Sequence, residues 1–253
     1  MSFINAVVAF VELEARRIRY NITEVITRVV QPILWLVVFG PIMASVRALP
    51  TDGIPYIAFI TPGVILQSVT FVSIFYGLTI VWERESGILK KLLTTPVPRI
   101  AIVLGRSSAS VIRAFMQFMI ITPIALLIGV RIVPNPLDIM FVIIIITITS
   151  VGFSAFSIWI ATFMKTRERF MGIGQAITMP LFFASNSIYP INIMPPIFKA
   201  ISLGNPLTYS IDALRKTLII GTLDGLITDI VALIIFTTIF TLLASIQFRR
   251  LIE

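Results

Sequence analysis

The sequence predicts an all-α polytopic membrane protein. It has six transmembrane helices, an N-terminal interfacial amphipathic helix, and a short outer re-entrant helical pair between spans 5 and 6. Three observations carry this reading. Hydrophobic residues make up 57% of the 253 and charged residues only 13%, well below the ~25% of a soluble chain. The apolar residues arrive in blocks of ~20, the length that crosses a ~30 Å hydrocarbon core. Runs such as Ile139–Thr149 do not alternate, which argues against the ~10-residue alternating segments of a β-barrel. The chain has no cysteine and no histidine. Disulfides, thiolate nucleophiles, imidazole acid–base chemistry and the commonest zinc ligands are thereby excluded.

The whole chain, 1–253, reads as one permeating unit. Its first segment, 1–28, sets Phe3, Ile4, Val7, Val8 and Val11 at helical spacing, followed by Glu12, Glu14, Arg16, Arg17 and Arg19. It is too short and too charged to span, and suits a helix lying in the interface near anionic head groups. The acidic interruptions and the late positive charges do not match a cleavable signal peptide. Six candidate spans follow, near Val29–Val46, Ile57–Trp82, Ser107–Val130, Leu137–Met164, Phe170–Tyr189 and Leu226–Phe248. The first is interrupted by Pro32, Gly40 and Pro41, which is tolerated where neighbouring helices cover the exposed backbone.

Counting Lys and Arg sets the orientation. With both termini cytoplasmic, fifteen basic residues fall inside and five outside: Arg47, Arg131, Lys199, Arg215 and Lys216. That asymmetry follows the positive-inside rule. It also accounts for the net charge of +8 without nucleic acid. The outer segment, 190–225, is too apolar for a solvated loop. Pro195 and Pro196 suit a first helical turn, Asn205 an N-cap and Pro206 the N1 position after it. A re-entrant pair buried against protein and a surface amphipathic hairpin both suit the pattern.

Several chemistries are missing. No G-x-x-x-x-G-K-[ST] phosphate loop, no G-x-G-x-x-G after a strand and no G-x-S-x-G elbow occurs, so the chain does not hydrolyse ATP alone. Carboxylates are scattered and none sits in the middle of a span, which disfavours an ion-coupled transporter. A membrane enzyme such as a lipid transferase would need a carboxylate cluster that is not there.

What stands out is one charged island, 83–106, reading ERESGILKKLLTTPVPRIAIVLGR. Glu83 and Glu85 open a short helix and Lys90 and Lys91 close it, complementing the helix dipole. Ile88, Leu89, Leu92 and Leu93 form an apolar stripe, and Thr95-Pro96 ends the helix. A rigid docking peg for a soluble partner and a plain interfacial linker are the two readings of such a segment.

The island closely resembles the E-R-E-x-G-x-L-x-x-L-x-x-x-P signature of the type-2 integral membrane permeases of ATP-binding-cassette (ABC) exporters. Glu83, Arg84, Glu85, Gly87, Leu89, Leu92, Pro96 and Gly105 match it, and NPLTYSIDALR matches the family's outer segment through Asn205, Pro206, Tyr209 and Arg215. The resemblance implies a multi-pass permease of the cell membrane, non-catalytic, paired with a second permease chain, here as a homodimer. Two copies of a separate ATPase subunit would carry the ATP and magnesium; this chain would bind no cofactor. Glu83, Arg84, Glu85, Gly87, Ile88, Leu89, Lys90, Lys91 and Leu92 would form the coupling helix seated in the ATPase. Pro195, Asn205, Pro206, Tyr209 and Arg215 would form an outer gate. The cargo would be a hydrophobic or amphiphilic molecule, drug-like or lipid-like, moved outward; a polysaccharide or lipid-linked glycan is the alternative.

Other polar features stay open between two roles. Arg106, Ser110, Arg113 and Gln117 form one stripe along the third span. They suit either a pathway lining that meets Glu83 and Glu85, or a snorkelling Arg106 above a packing charge at Arg113. Phe71, Phe75 and Phe182 are candidate pathway residues or packing residues. Gly172, Gly174, Ser185 and Ser187 suit close helix approach at a dimer seam.

Overall fold

A helix with no polar face has to be buried, and the 21 residues Tyr56–Tyr76 carry no charge at all. This segment is the centre of the fold. The computed structural model describes residues 8–9, 11–12, 16, 22–46, 49–51, 53–87, 99–133, 135–164 and 166–248, and among them there is no strand. In chain order the helices are α1 (Ile22–Leu34), α2 (Gly40–Val46), α3 (Tyr56–Tyr76), α4 (Leu78–Glu85), α5 (Arg99–Leu127), α6 (Pro136–Ala161), α7 (Arg167–Phe183), α8 (Pro196–Gly204), α9 (Pro206–Arg215) and α10 (Leu226–Gln247).

Among the described residues, five stretches are long and apolar enough to cross a membrane: Ile26–Val46, Tyr56–Glu85, Ile100–Leu127, Pro136–Ala161 and Leu226–Gln247. They coincide with five of the six expected spans. The remaining one, expected at Phe170–Tyr189, is α7, a helix of 17 residues. At 1.5 Å per residue it reaches about 25 Å, short of a ~30 Å core. It contains Pro180 and gives way to turns after Phe183.

The proline-broken first span is continuous after all. A π-helical turn, Trp35–Phe39, joins α1 to α2, and the Gly40 N–H reaches the Trp35 carbonyl. Pro41 has no N–H to offer the Val37 carbonyl, and the wider turn absorbs that loss. Asn135 caps α6 by accepting from the Leu137 N–H at 3.2 Å. Asn205 does the same for α9 through the Leu207 N–H at 3.0 Å, with Pro206 at N1. Both α8 and α9 begin where the prolines predict.

The core lies between α3, α5, α6 and α10, with α9 inserted against α3, α6 and α10. Most of α9 is buried, while α8 leaves Ile197, Phe198, Ile201 and Leu203 exposed. A small residue permits the tightest contact at the end of the bundle where α3 begins. A Cβ built on Gly63 would fall inside van der Waals distance of Ser187. Ser187 therefore serves close packing within the chain. The interfacial helix expected over 1–28 lies largely outside the described residues; of those described, Val8, Ala9, Val11, Glu12 and Arg16 are helical, Arg16 pairs with Glu12 at 2.8 Å, and 22–28 belong to α1.

Candidate functional site

The island is rooted in the bundle by consecutive charges. Glu83, on α4, is 2% exposed and forms an ion pair with Arg106 on α5, itself 4% exposed, with one contact at 3.0 Å. The Arg84 guanidinium donates to the Met164 carbonyl at 3.4 Å. Glu85 accepts from Arg167 at the start of α7 at 2.5 Å, and the Arg167 guanidinium lies 5.9 Å from the centre of the Trp82 ring. Ser86 and Gly87 then end α4, so Glu83 and Glu85 close a helix rather than open one as the sequence suggests. Three neighbouring side chains thus fasten α4 to α5, to the turn after α6 and to α7. Ile88, Leu89, Lys90, Lys91 and Leu92 lie outside the described residues.

Arg106 therefore does not snorkel to the surface. Its charge is met by Glu83 inside the protein. Neither Met164 nor Arg167 was singled out from the sequence, although Arg167 and Glu85 are complementary charges at the same end of the bundle.

At the other end a second polar focus surrounds Arg215, which is 6% exposed. Its Nε and Nη2 donate to the Phe59 carbonyl at 3.3 Å, Nη2 also to the Asn186 carbonyl at 2.8 Å, and Nη1 to Asp212 at 3.1 Å. The guanidinium sits 4.0 Å from the centre of the Phe59 ring. Asn186 donates to Asp212 at 2.5 Å. Burial pushes the Asp212 carboxyl up, against Arg215, Lys216 and Asn186, which pull it down. Burial pushes Arg215 down to about 10, with Asp212 opposing. Asn205 adds a tie from its amide to the Leu181 carbonyl at 2.7 Å, in the last turn of α7. Arg215, Asp212 and Asn186 border a cavity of about 920 Å³ walled by Ile54, Ala58, Phe59, Ile128 and Ile219. Pro195, at the head of α8, is exposed, and the Tyr209 hydroxyl donates to the Leu203 carbonyl at 2.7 Å. Asn205, Pro206, Tyr209 and Arg215 thus share α9 and its cap, but of the four only Arg215 borders the cavity; Asp212 joins it from the same helix, and Asn186 and Phe59 only in three dimensions.

Between the two ends runs a seam of small hydroxyls. Ser210 meets Thr149 at 3.0 Å, Ser150 meets Ser73 at 2.9 Å and Ser110 at 2.8 Å, and Ser68 donates to Gln117 at 2.6 Å. Such bonds are the usual glue between helices in lipid. Gln117 thus belongs to packing. Phe182 is buried and lies edge-on to Trp35 and Phe183, facing neither cavity. Phe71 and Phe75 stack on each other beneath Arg28, whose guanidinium is 5.6 Å and 5.4 Å from their centres. Arg113 and Phe75 border a small second cavity near the island.

Residues 7–219 match the family described as ABC-2 type transporter. The putative transport permease ycf38 of Cyanophora paradoxa is 28% identical over 210 residues, covering 81% of this chain and 70% of its own. The inner membrane transport permease YadH of Escherichia coli strain K12 is 27% identical over 236 residues, covering 90% and 88%. Nodulation protein J of Rhizobium leguminosarum bv. viciae is 22% identical over 231 residues, again covering 90% and 88%.

Proposed function

We propose, from the premise that this chain belongs to the ABC-2 type transporter family, that it is the permease subunit of an exporter driven by a separate ATPase. Two permease chains pair as a homodimer and two ATPase subunits bind at the island, bringing the ATP and magnesium. The island, 83–106, is the cytoplasmic loop that carries the coupling helix. In this reading α7 is the fifth of six crossings, its length completed by the turns up to Tyr189. Both termini are cytoplasmic in the cell membrane, and α8 and α9 dip back from the outer face as the gate. The cargo is hydrophobic or amphiphilic. The main alternative, a glycan channel lined by aromatics, draws little support from Phe71, Phe75 and Phe182, which pack on one another and on neighbouring side chains.

The observation that carries the proposal is the rooting of the island. A loose linker has no need of a buried ion pair, yet Glu83 and Arg106 are both withdrawn from solvent. A peg that must deliver force does need its base fixed to several helices. The test is to reconstitute the chain with its ATPase. Alone it should turn over no ATP; with the ATPase, a transported amphiphile should stimulate turnover. Reversing the charge at the half-exposed Glu85 should sharply reduce that stimulation while the permease remains folded. Undiminished stimulation, or turnover by the chain alone, would overturn the reading.

A further inference from the structure

At the end of the bundle opposite the island, the cavity of about 920 Å³ has the size of pockets that hold small organic molecules. Its walls are largely apolar, with Ile54, Ile128 and Ile219 drawn from three separate parts of the chain. Its charged and amide groups divide by depth. Arg131 and Asn192 are exposed, Asp212 is half-buried, and Arg215 and Asn186 are buried.

Asp212 is the group with capacity to spare. Its Oδ1 accepts from both Asn186 and Arg215. Its Oδ2 accepts no hydrogen bond among the described residues, and the side chain is 33% exposed. An ionised carboxylate offers about four lone-pair sites, so the oxygen on the cavity side is open. Asn186 holds a second unmet oxygen. Only its amide nitrogen can donate to Asp212, which turns Asn186 Oδ1 away, buried and without a hydrogen-bond partner. That atom is withdrawn from open space, so Asp212 Oδ2 is the acceptor a ligand meets first. Both unmet oxygens are acceptors, and what the cavity lacks is a donor.

Charge selects which donor. Arg215 already offsets Asp212 at 3.1 Å, and Arg131 stands exposed at the same cavity. An ammonium ligand would add a further cation beside one carboxylate. An anionic ligand would face Asp212 directly. A neutral hydroxyl donates to Oδ2 and disturbs neither balance, and a hydrogen bond to a charged acceptor is about twice as strong as a neutral one. The isoleucine walls favour an apolar body behind that hydroxyl.

We infer that this cavity is a binding site for a neutral amphiphile, held by a hydroxyl group that donates to Asp212 and by an apolar body packed on Ile54, Ile128 and Ile219. Binding needs only the cavity. On the permease reading, on which its placement rests, the site lies at the outer face, beside the arginine that ties α9 to the start of α3.

The chain has no cysteine, so a single introduced one can carry a reporter. Ile220 borders the cavity and is 46% exposed. Ile220→Cys is labelled with bimane in the full chain, purified in neutral detergent, and affinities are taken against the free probe concentration. 4-Octylphenol should change the emission saturably. Its methyl ether, which lacks only the donor, should bind on the order of tenfold more weakly. The cationic 4-octylbenzylamine and the anionic 4-octylbenzoate should also bind more weakly than the phenol. Asp212→Asn should erase most of the difference between phenol and ether. Ile128→Trp, which fills space and leaves Asp212 in place, should weaken both probes alike; if Asp212→Asn fails to fold, this variant and the phenol-to-ether ratio decide. Equal affinity for phenol and ether, a ratio unchanged in folded Asp212→Asn, or tighter binding of either ion would overturn the hydroxyl site. Binding indifferent to Ile128→Trp would overturn the cavity as its location. ATPase association is measured on the same preparations, so a missing hydroxyl preference with intact association sinks this site and leaves the permease reading standing.

Discussion

Replacing Glu83 by Gln should be among the most damaging single changes at the island, and its cost follows from burial. The side chains of Glu83 and Arg106 are 3% and 5% exposed. Removing the charge of one leaves the other enclosed and unbalanced, a loss of about 3–5 kcal/mol for buried pairs. Gln keeps an acceptor for the guanidinium, so the lower end, about 3 kcal/mol, is expected. The neighbouring pair provides an internal control. Glu85 and Arg167 are 29% and 44% exposed, in the regime where an ion pair contributes about 0.2–1 kcal/mol. Glu85→Gln should therefore cost about a third as much or less. Reversible unfolding of the purified chain in SDS, followed by dichroism, measures both. Combining Glu83→Gln with Arg106→Gln should recover on the order of 2 kcal/mol, because no buried charge is then left alone. A double variant additive to within about 0.5 kcal/mol, or a Glu83→Gln cost equal to that of Glu85→Gln, would refute the reasoning.

Other consequences are equally direct. Cysteines replacing Lys90 and Lys199 should react with an impermeant maleimide from opposite sides of a sealed vesicle; reaction from one side would refute the proposed topology. Gly63→Ala should cost about 1–3 kcal/mol, since the added Cβ meets Ser187 at backbone and side chain. Gly172→Ala, with nothing within 4 Å, should instead stabilise by about 0.5–1 kcal/mol; SDS unfolding distinguishes the two, and equal effects would contradict the packing. Arg215→Lys cannot reproduce the fork that serves Phe59, Asn186 and Asp212, and leaving buried acceptors unmet should cost about 1–3 kcal/mol in the same assay. A loss below about 0.5 kcal/mol would show that Arg215 is not the keystone of α9.

Features governed by local chemistry were legible in the sequence. Length and apolarity located five membrane-length helices. The Asn-Pro pair at Asn205 and Pro206 announced the start of α9, because capping depends on two or three adjacent residues. Features governed by which helix faces which were not. Arg106 reads equally as a snorkelling rim charge or as a buried partner until the rotation of α5 against α4 is known. Phe182 has the composition of a pathway residue and the surroundings of a packing residue. Asn186 looks like one polar residue in an apolar stretch, and only the fold brings it to Asp212 and Arg215. The π turn at Trp35–Phe39 escapes any 3.6-residue reading, since its hydrogen bonds run from i to i+5 and widen the turn.

The two polar foci are linked by one element. Residues Tyr56–Glu85 span 30 positions, about 45 Å of helix, with the Phe59 carbonyl under Arg215 at one end and Glu83 on Arg106 at the other. The rod has one joint. At Gly77 the helix is interrupted, and the Ile74 carbonyl is shared between the Gly77 N–H and the Ser157 hydroxyl of α6. A Cβ there would collide with Ser157 and Phe170, so α6 and α7 press directly on the joint. Side chains that enter a helix ladder are a recognised cause of bends. Motion imposed on α4 would therefore divide at Gly77: part turns α4 against α7 through Glu85 and Arg167, and part passes up α3 to the carbonyl that holds Arg215. On the permease reading this predicts that Gly77→Ala uncouples the ends more than it unfolds the chain. ATPase stimulation should fall while the outer cavity keeps its structure, and loss of both together would mean that the joint is only a packing contact.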